Sequence, residues 1–339
     1  MNAQRHLVGR VPPPGAGSTP GYLSRCRFWA MMLSLALGIA STAHAIMAGG
    51  ETALPPDSPA ARRDLLGAGS PFNAVGALQI ASGGFNYRGS GTALSPHWVI
   101  TAGHNFDLND NGVPDAGVSI NFHLPGFGVF PASAFYTAPG FTGFGNPSVQ
   151  RDLGLLYLAT PLPAGVLYPS LSGILPAGAQ VALVGFGRSG YGNYGYTTSA
   201  TLTDRRSGYN VVDTFTPDDQ GGNFSALFRY DFDAPDTVGQ PGGSLGNAAE
   251  SLIAPGDSGG PVLIADGQGW ALAGVSTFTE GYGGRFGDTG GGIVLSPYLD
   301  WLGQTTGIAV PEPSVVSLAF LGLGCLLLGE AKRKSPGLG

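Results

Sequence analysis

The amino-acid sequence predicts an all-β fold. Short runs of β-branched and aromatic residues recur along the chain and are separated by turn-forming Gly, Pro, Asn and Asp. Gly and Pro are abundant, with 58 and 27 residues in a chain of 339, and this composition favours short strands joined by turns. Helical periodicity is confined to two hydrophobic end segments and a short stretch at 297–302. The roughly 260 residues between those ends are therefore predicted to form one β-rich unit.

Four apolar runs are the clearest strand candidates, because each lies between turn residues. They are Ala74–Ile80, Val118–Phe122, Val181–Val184 and Trp270–Phe278. The sequence shows no internal repeat. Its net charge of -6 argues against a nucleic acid as partner, since such proteins carry clustered basic residues.

The first 45 residues are predicted to be a secretory signal peptide. Arg25 and Arg27 precede an apolar run at 28–40, and Ala43 and Ala45 form a small-residue cleavage site. A signal peptidase is therefore expected to cut after Ala45, and the protein is expected to be exported.

The last 30 residues, 310–339, carry a second targeting pattern. A Pro-Glu-Pro motif at 311–313 leads into an apolar stretch at 315–328, and a basic tail at 332–334 follows. This resembles the PEP-CTERM sorting signal of Gram-negative bacteria. The resemblance implies a hydrophobic membrane helix with a cytoplasmic tail, an exosortase-type processing enzyme, and delivery to the cell surface or the exterior. An ordinary tail anchor is the alternative.

The most specific motif in the chain is Gly256-Asp257-Ser258-Gly259-Gly260-Pro261. A serine hydroxyl becomes a nucleophile only when a base within hydrogen-bond reach takes its proton. The glycines allow a tight turn, in which the amides of Gly256 and Ser258 converge on a tetrahedral oxyanion. The string resembles the nucleophile segment of chymotrypsin-like serine proteases, which implies that Ser258 attacks a peptide carbonyl.

Two further segments resemble those that carry this family's catalytic base and acid. His104 ends the run 95–104, whereas His97 and His123 have no comparable context. Asp152 stands at the start of the apolar stretch 153–158. The resemblance implies a triad in which His104 is the base and Asp152 orients its imidazole.

The order of the three triad residues along the chain excludes two rival families. In α/β-hydrolases the acid and the histidine follow the serine, but no histidine follows Ser258. Subtilisin-like enzymes need an acid well before the histidine, where this chain offers only Asp57 and Asp64 in a polar, Pro-rich stretch.

The resemblance also implies an architecture and a function. The family's fold is two antiparallel β-barrels with the active site in the cleft between them, here expected at 46–165 and 166–309. The expected function is a serine endopeptidase acting on proteins or peptides. A catalytically silent protease fold that serves as a surface or matrix binding protein is the alternative.

Three residues of the second barrel are expected, by the same resemblance, to shape the substrate cleft. Leu252 falls at the base of the primary specificity pocket, where an aliphatic side chain disfavours Lys or Arg in the substrate. Glu250 is close in sequence and could modify that preference. Thr277 is expected to support the triad acid through its hydroxyl, and Phe278 to form the floor of the subsites. An ordinary core strand is the alternative for these two residues.

Cleavage after Ala45 would expose Ile46-Met47-Ala48-Gly49-Gly50, which resembles the activated N-terminus of the family. The resemblance implies that the Ile46 ammonium pairs with Asp257 and shapes the oxyanion hole. A later start after Arg62-Arg63, with Ile46 opening a pro-segment, is an equally open alternative.

The sequence departs from the family in its cysteines. Cys26 and Cys325 lie in the two end segments, so the mature domain is expected to contain none, and Asn105 stands where the family usually has a Cys after the base histidine.

The chemistry requires no metal or other cofactor. One loop nevertheless resembles part of a calcium site, because oxygen ligands alternate along it at Asp107, Asn109, Asn111 and Asp115. Val118 stands where the distal bidentate Glu would be, so a solvated turn is the main expectation for this loop and calcium the lesser alternative.

Overall fold

The structure is a computed structural model that describes residues 46–311, except 53, 146–147, 236–244 and 282. The predicted signal peptide and nearly all of the predicted sorting segment lie outside these residues. The described chain is built mainly of β-strands, and the all-β prediction is confirmed.

The first half of the described chain forms a closed antiparallel barrel of six strands, in the order β1-β2-β3-β6-β5-β4. Exposed and buried positions alternate along β4, with Ile120, Phe122 and Leu124 inside, which is the period of a half-buried strand. The strands are β1 (Val75–Ser82), β2 (Phe85–Ala93), β3 (Trp98–Thr101), β4 (Ser119–Leu124), β5 (Gly128–Thr137) and β6 (Gly154–Leu158).

The second half forms a larger sheet. Its strands are β7 (Ser170–Leu171), β8 (Gln180–Gly185), β11 (Arg206–Val211), β12 (Thr214–Pro217), β13 (Ser225–Asp231), β14 (Pro261–Ala265), β15 (Trp270–Glu280) and β16 (Thr289–Val294). The pairing order is β11-β8-β14-β15-β16-β13-β12, with β7 parallel to β15. A separate hairpin joins β9 (Ser189–Tyr191) to β10 (Gly195–Thr198). Nearly all of β15 is buried, as expected for a central strand with both faces covered.

Strand pairing closes the first barrel, whereas the ladder of the second sheet remains open between β11 and β13 within the described residues. The gap between β11 and β13 is bridged by a side chain instead of a ladder. The Asn210 amide donates to the Asp231 carbonyl at 2.6 Å and to the Ser251 carbonyl at 2.9 Å. The Asn210 side-chain amide therefore links β11 to the end of β13 where no strand pairing joins them.

Three hydrophobic clusters hold the described chain together. One fills the first barrel around Leu78, Phe122 and Leu156. A second lies within the second sheet around Leu183, Phe228 and Val262. The third contains side chains of both halves, among them Val75, Ile100, Val184, Leu263 and Val275. This shared cluster packs the two halves against each other, which fixes the cleft between them.

The connection between the halves runs from the end of β6 at Leu158 to the start of β7 at Ser170. Near the end of the described chain, a 3-10 turn at Ser296–Tyr298 leads into α1 (Leu299–Thr306), which agrees with the helical stretch expected at 297–302. Among the described residues, no helix is long and apolar enough to cross a membrane.

Candidate active site

Ser258 lies on a tight turn between the buried segment 252–254 and strand β14. Gly256 and Gly259 adopt φ values of 98° and 88°, which side chains rarely tolerate. A Cβ at Gly259 would also clash with the Thr101 hydroxyl and the Ser90 carbonyl. Within the described chain, neither the Gly256 nor the Ser258 amide donates to a protein acceptor, so both are available to an oxyanion.

The Ser258 turn is held by polar groups of the first barrel, and this network was not predicted. The Ser90 amide donates to the Ser258 carbonyl at 2.9 Å, and the Ser90 hydroxyl donates to the Gly256 carbonyl at 2.9 Å. Asn105 donates to the same Ser258 carbonyl at 3.0 Å and to the Thr101 hydroxyl at 2.8 Å. Asn105, noted in the sequence only because it stands where the family usually has a cysteine, therefore binds the backbone of the candidate nucleophile.

His104 and Asp152 come together at the end of β3 and the start of β6. The His104 Nδ1 lies 2.6 Å from Asp152 Oδ2, and the His104 amide donates to Asp152 Oδ1 at 2.9 Å. The Asp152 side chain is fully buried, and that of His104 is 20% exposed. The carboxylate thus fixes both the ring and the backbone of the histidine, which leaves Nε2 as the nitrogen free for chemistry.

The electrostatics of His104 favour a stable imidazolium. Burial lowers the pKa of His104, but the charge and hydrogen bond of Asp152 outweigh it, helped by the more distant Asp110 and Asp107, so the pKa lies above its ordinary value. The ring of Phe144 packs against the imidazole, with centroids 4.7 Å apart. The histidine can therefore carry a proton during a reaction, as a general base requires.

Arg151, the residue before the candidate acid, is anchored by its own side chain, and no local motif predicted this contact. Its φ of 60° is strained for a non-glycine residue. Its guanidinium bonds both carboxylate oxygens of Asp218 at 2.7 and 2.8 Å, across to the second half of the chain. Burial raises the pKa of Asp218, but Arg151 and local amides lower it further, so it lies below the ordinary value. The Arg151–Asp218 pair therefore fixes the backbone segment that precedes Asp152.

The predicted nucleophile, Ser258, is not hydrogen-bonded to the other two triad residues in the described chain. The Ser258 hydroxyl donates to the Thr277 carbonyl at 3.4 Å, and no hydrogen bond joins it to His104 in the described chain. Such contacts are often long without substrate and tighten in the complex.

The three predicted cleft residues differ in how they fit their expected roles. Leu252 is fully buried in the core of the second sheet, and its carbonyl accepts from the Met47 amide at 2.9 Å. Phe278 is buried beneath the Arg229 guanidinium, which lies 5.2 Å from its ring. The expected support of Asp152 by the Thr277 hydroxyl is not formed. That hydroxyl is buried and has no hydrogen-bond partner among the described residues, and the donors to Asp152 are the ring and the amide of His104.

Ile46, at the start of the described chain, is buried in the hydrophobic cluster of the second sheet. The Met47 and Ala48 amides donate to the carbonyls of Leu252 and Gly190, both at 2.9 Å. Asp257 is buried and accepts from the Gly187 and Ala254 amides at 2.7 and 2.9 Å. Burial raises the pKa of Asp257 to about 7, despite these amides and Arg206. A buried acid so perturbed is a site where a cation would be stabilised.

The loop considered for calcium is stabilised by hydrogen bonds within it. Its acids accept hydrogen bonds from within the loop: Asp107 from the Gly112 amide at 2.7 Å, and Asp115 from the Leu108 amide at 2.9 Å and the Asn109 side chain. Within the described residues, three acid groups converge elsewhere, at Asp231, Asp233 and Glu250, and not in this loop. These hydrogen bonds cap the loop as a turn, and calcium binding there stays a prediction from the sequence.

Comparisons with known proteins agree with this geometry. The trypsin family model matches residues 68–302. Among solved structures, HL collagenase has a TM-score of 0.51 at 20% identity and covers 70% of this chain and 95% of its own. Neuropsin, a serine protease expressed in the limbic system of mouse brain, has a TM-score of 0.50 at 15% identity and covers 72% and 97%. At these identities the two structures show a shared fold alone. A search of curated proteins found no match.

Proposed function

We propose that this chain, which belongs to the trypsin family, is a serine endopeptidase. Its catalytic triad is proposed to be His104, Asp152 and Ser258. The observation that supports this most directly is the doubly held His104. Its Nδ1 and its amide are both bound to one buried carboxylate, as a base with a fixed tautomer requires.

The proposed reaction is acyl transfer through a covalent intermediate. His104 Nε2 takes the Ser258 proton as the hydroxyl oxygen bonds to the scissile carbonyl carbon, and the Gly256 and Ser258 amides bind the resulting oxyanion. The imidazolium then gives its proton to the leaving amine as the C–N bond breaks. Water repeats the sequence on the acyl-enzyme, and Ser258 is released with its proton restored.

A fluorophosphonate probe distinguishes this function from a silent binding protein, since it labels only an activated serine. We expect Ser258→Ala and His104→Ala each to abolish labelling and nearly all casein hydrolysis. The double variant should be little worse than either, because the triad acts as a unit. Retention of most activity in Ser258→Ala would show that another residue is the nucleophile.

The acyl side of the substrate is proposed to lie along β15. Strand β14 pairs with β15 only as far as Val275, and β16 covers the opposite edge through Glu280. The edge of 277–280 that faces away from β16 has no strand partner in the described chain, so an extended peptide can pair with it.

An uncharged side chain is proposed for the substrate residue that donates the acyl group. Leu252 offers no charge, and the nearby Glu250 carboxylate is already engaged, accepting from the Asp233 and Leu245 amides at 2.9 and 2.6 Å. A mixed peptide library tests this preference, and dominant cleavage after Lys or Arg would contradict it.

The Ile46 ammonium is proposed to pair with Asp257 once the chain is cut after Ala45. The burial of both residues, and the raised pKa of Asp257, support this pairing. N-terminal sequencing of fully active enzyme tests it, since any start other than Ile46 would refute the pairing. The ion pair raises the pKa of the ammonium above about 8, so its stabilisation holds below that pH and fades as the pH rises through the folded value.

Export and sorting through the chain ends are proposed from sequence alone. The signal peptide at 1–45 implies a signal peptidase, and the segment 310–339 implies membrane retention before an exosortase-type enzyme acts. Cell fractionation of the full-length protein in an exosortase-bearing host tests both steps.

A further inference from the structure

Free positive charge is rare in the described part of the chain. Residues 46–311 contain arginine but no lysine. The arginines with an ion pair are Arg62, Arg63, Arg151, Arg205, Arg206 and Arg229. Within the described residues, those without one are Arg88, Arg188 and Arg285. An unpaired guanidinium keeps its donors for an anion from outside.

Two of these unpaired arginines flank the turn that carries the candidate oxyanion hole. Arg88 lies on β2, and its Cβ is 3.6 Å from the position that a Cβ on Gly256 would occupy. The Arg188 amide donates to the Pro255 carbonyl at 2.9 Å, and the Cα of the preceding Gly187 is 2.9 Å from the same Cβ position. The two residues come from different halves of the chain, and each lies beside the backbone of the turn at Pro255 and Gly256.

Neither the Arg88 nor the Arg188 guanidinium is paired with a carboxylate in the described residues. Arg188 is exposed and lies over the ring of Tyr196 at 4.7 Å. Arg88 is partly exposed and donates only to the neighbouring Tyr87 carbonyl, at 3.0 Å. Asp257, which follows Gly256 in the sequence, is buried, and its carboxylate accepts from the Gly187 and Ala254 amides.

The position of the two arginines beside Gly256 bears on the part of a substrate that follows the scissile bond. If the acyl side of an extended peptide pairs with 277–280 and its scissile carbonyl faces the Gly256 and Ser258 amides, the residues after the scissile bond leave beside Gly256, where Arg88 and Arg188 adjoin the turn. We propose that Arg88 and Arg188 form an anionic subsite that binds an Asp or Glu side chain one or two residues after the scissile bond. This inference rests on the proposed peptidase function and names its substrate class. Guanidinium–carboxylate bonds are the stronger, charge-assisted kind.

Matched fluorogenic peptides test the subsite. They carry Glu or Gln at the first or second residue after the scissile bond and are otherwise identical. We expect a Glu-over-Gln ratio in kcat/KM of about two- to fivefold for each arginine engaged, the range of partly exposed ion pairs. The ratio should fall in Arg88→Gln and Arg188→Gln, approach one in the double variant, and weaken as salt screens the charges.

Arg63→Gln is the matched control, because it removes the same charge from an exposed arginine paired with Asp204, and we expect it to keep the ratio. Cleavage of both peptides with no preference for Glu at either position would overturn the subsite and leave the peptidase function standing. Loss of the preference in Arg63→Gln to the same extent would also overturn it, since the effect would then come from net charge. Absence of all cleavage and of fluorophosphonate labelling would refute the peptidase function itself.

Discussion

Asn105→Asp tests the network that holds the Ser258 turn. The Asn105 side-chain nitrogen donates to the Ser258 carbonyl at 3.0 Å and to the Thr101 hydroxyl at 2.8 Å, in a site where only 3% of the residue is exposed. Asp has the same shape but no donor when ionised, so both bonds are lost. About 1 kcal/mol for each bond, and a further ~1 kcal/mol for the carboxylate oxygen facing the carbonyl, predict a loss of about 3 kcal/mol at neutral pH.

The loss should shrink on acidification, and this separates the network from simple packing. Burial and the opposing carbonyl would raise the pKa of the new carboxyl above about 4 in the folded state. The folded variant then binds its proton at a higher pH than the unfolded chain does. Its stability relative to the parent protein therefore rises as the pH falls through the folded pKa, when the protonated acid can donate again.

Urea unfolding at pH 8 and pH 5 measures this effect, with kcat and KM recorded on the same samples. Asn86→Asp is the matched control, because it makes the same chemical change at an exposed position of β2. Asn105→Asp should unfold at lower urea than Asn86→Asp at pH 8 and lose kcat more than it raises KM. Equal midpoints for the two variants at pH 8 would refute the reasoning.

Three further changes have defined outcomes. Arg151→Ala leaves the buried Asp218 carboxylate without its cation and should lower the free energy of unfolding by about 3 kcal/mol, measured by heat or urea. Arg229→Ala should lower it by under about 1 kcal/mol, because its partner Glu280 is largely exposed, and equal losses for the two variants would argue against the anchoring role of Arg151. Burial and neighbouring carboxylates raise the pKa of Asp231 to about 6, so its ionised form destabilises the fold above that pH. Asp231→Asn should therefore add about 1 kcal/mol of stability at pH 8, after allowance for solvent screening, and nothing at pH 4; a gain at both would contradict this. Truncation after Val310 should yield released, active enzyme on cell fractionation, and loss of the fold would count against that boundary.

Local sequence patterns predicted the parts of the site that local chemistry determines. The glycines at 256 and 259 have the positive φ values that a tight turn needs, and a string of six residues was enough to indicate them. His104 and Asp152 each end or begin an apolar strand, so the sheet brings them together once β3 pairs with β6. The strand candidates lie in β1, β4, β8 and β15 for the same reason, because alternation and turn residues are local signals.

Contacts between distant segments could not be predicted in this way. Ser90, Asn105 and the pair of Arg151 with Asp218 carry no local motif, and their partners lie far along the chain. The Thr277 hydroxyl is the opposite case, a contact that was predicted from the sequence and is not formed. The resemblance implied that it supports the acid, whereas the donors that bond Asp152 in the described chain are the ring and the amide of His104.

Buried polar groups brace the segment that leads to the nucleophile, in a domain whose residues 46–311 contain no cysteine. Arg62 is fully buried with Asp57, and its guanidinium also donates to the carbonyls of Asn247 and Glu250 at 3.2 and 2.8 Å. Ser90 and Asn105 hold the other end of the same segment at Gly256 and Ser258.

The two kinds of brace act on different states of the chain. A disulfide restricts the unfolded state and breaks under reduction, whereas buried hydrogen bonds and ion pairs exist only in the folded state and depend on pH. Because desolvation offsets much of the attraction in a buried pair, these bonds add little net stability but strongly disfavour any geometry that leaves a partner unmet. Reductant should therefore leave the Ser258 turn intact, while loss of a single partner in the network should displace it.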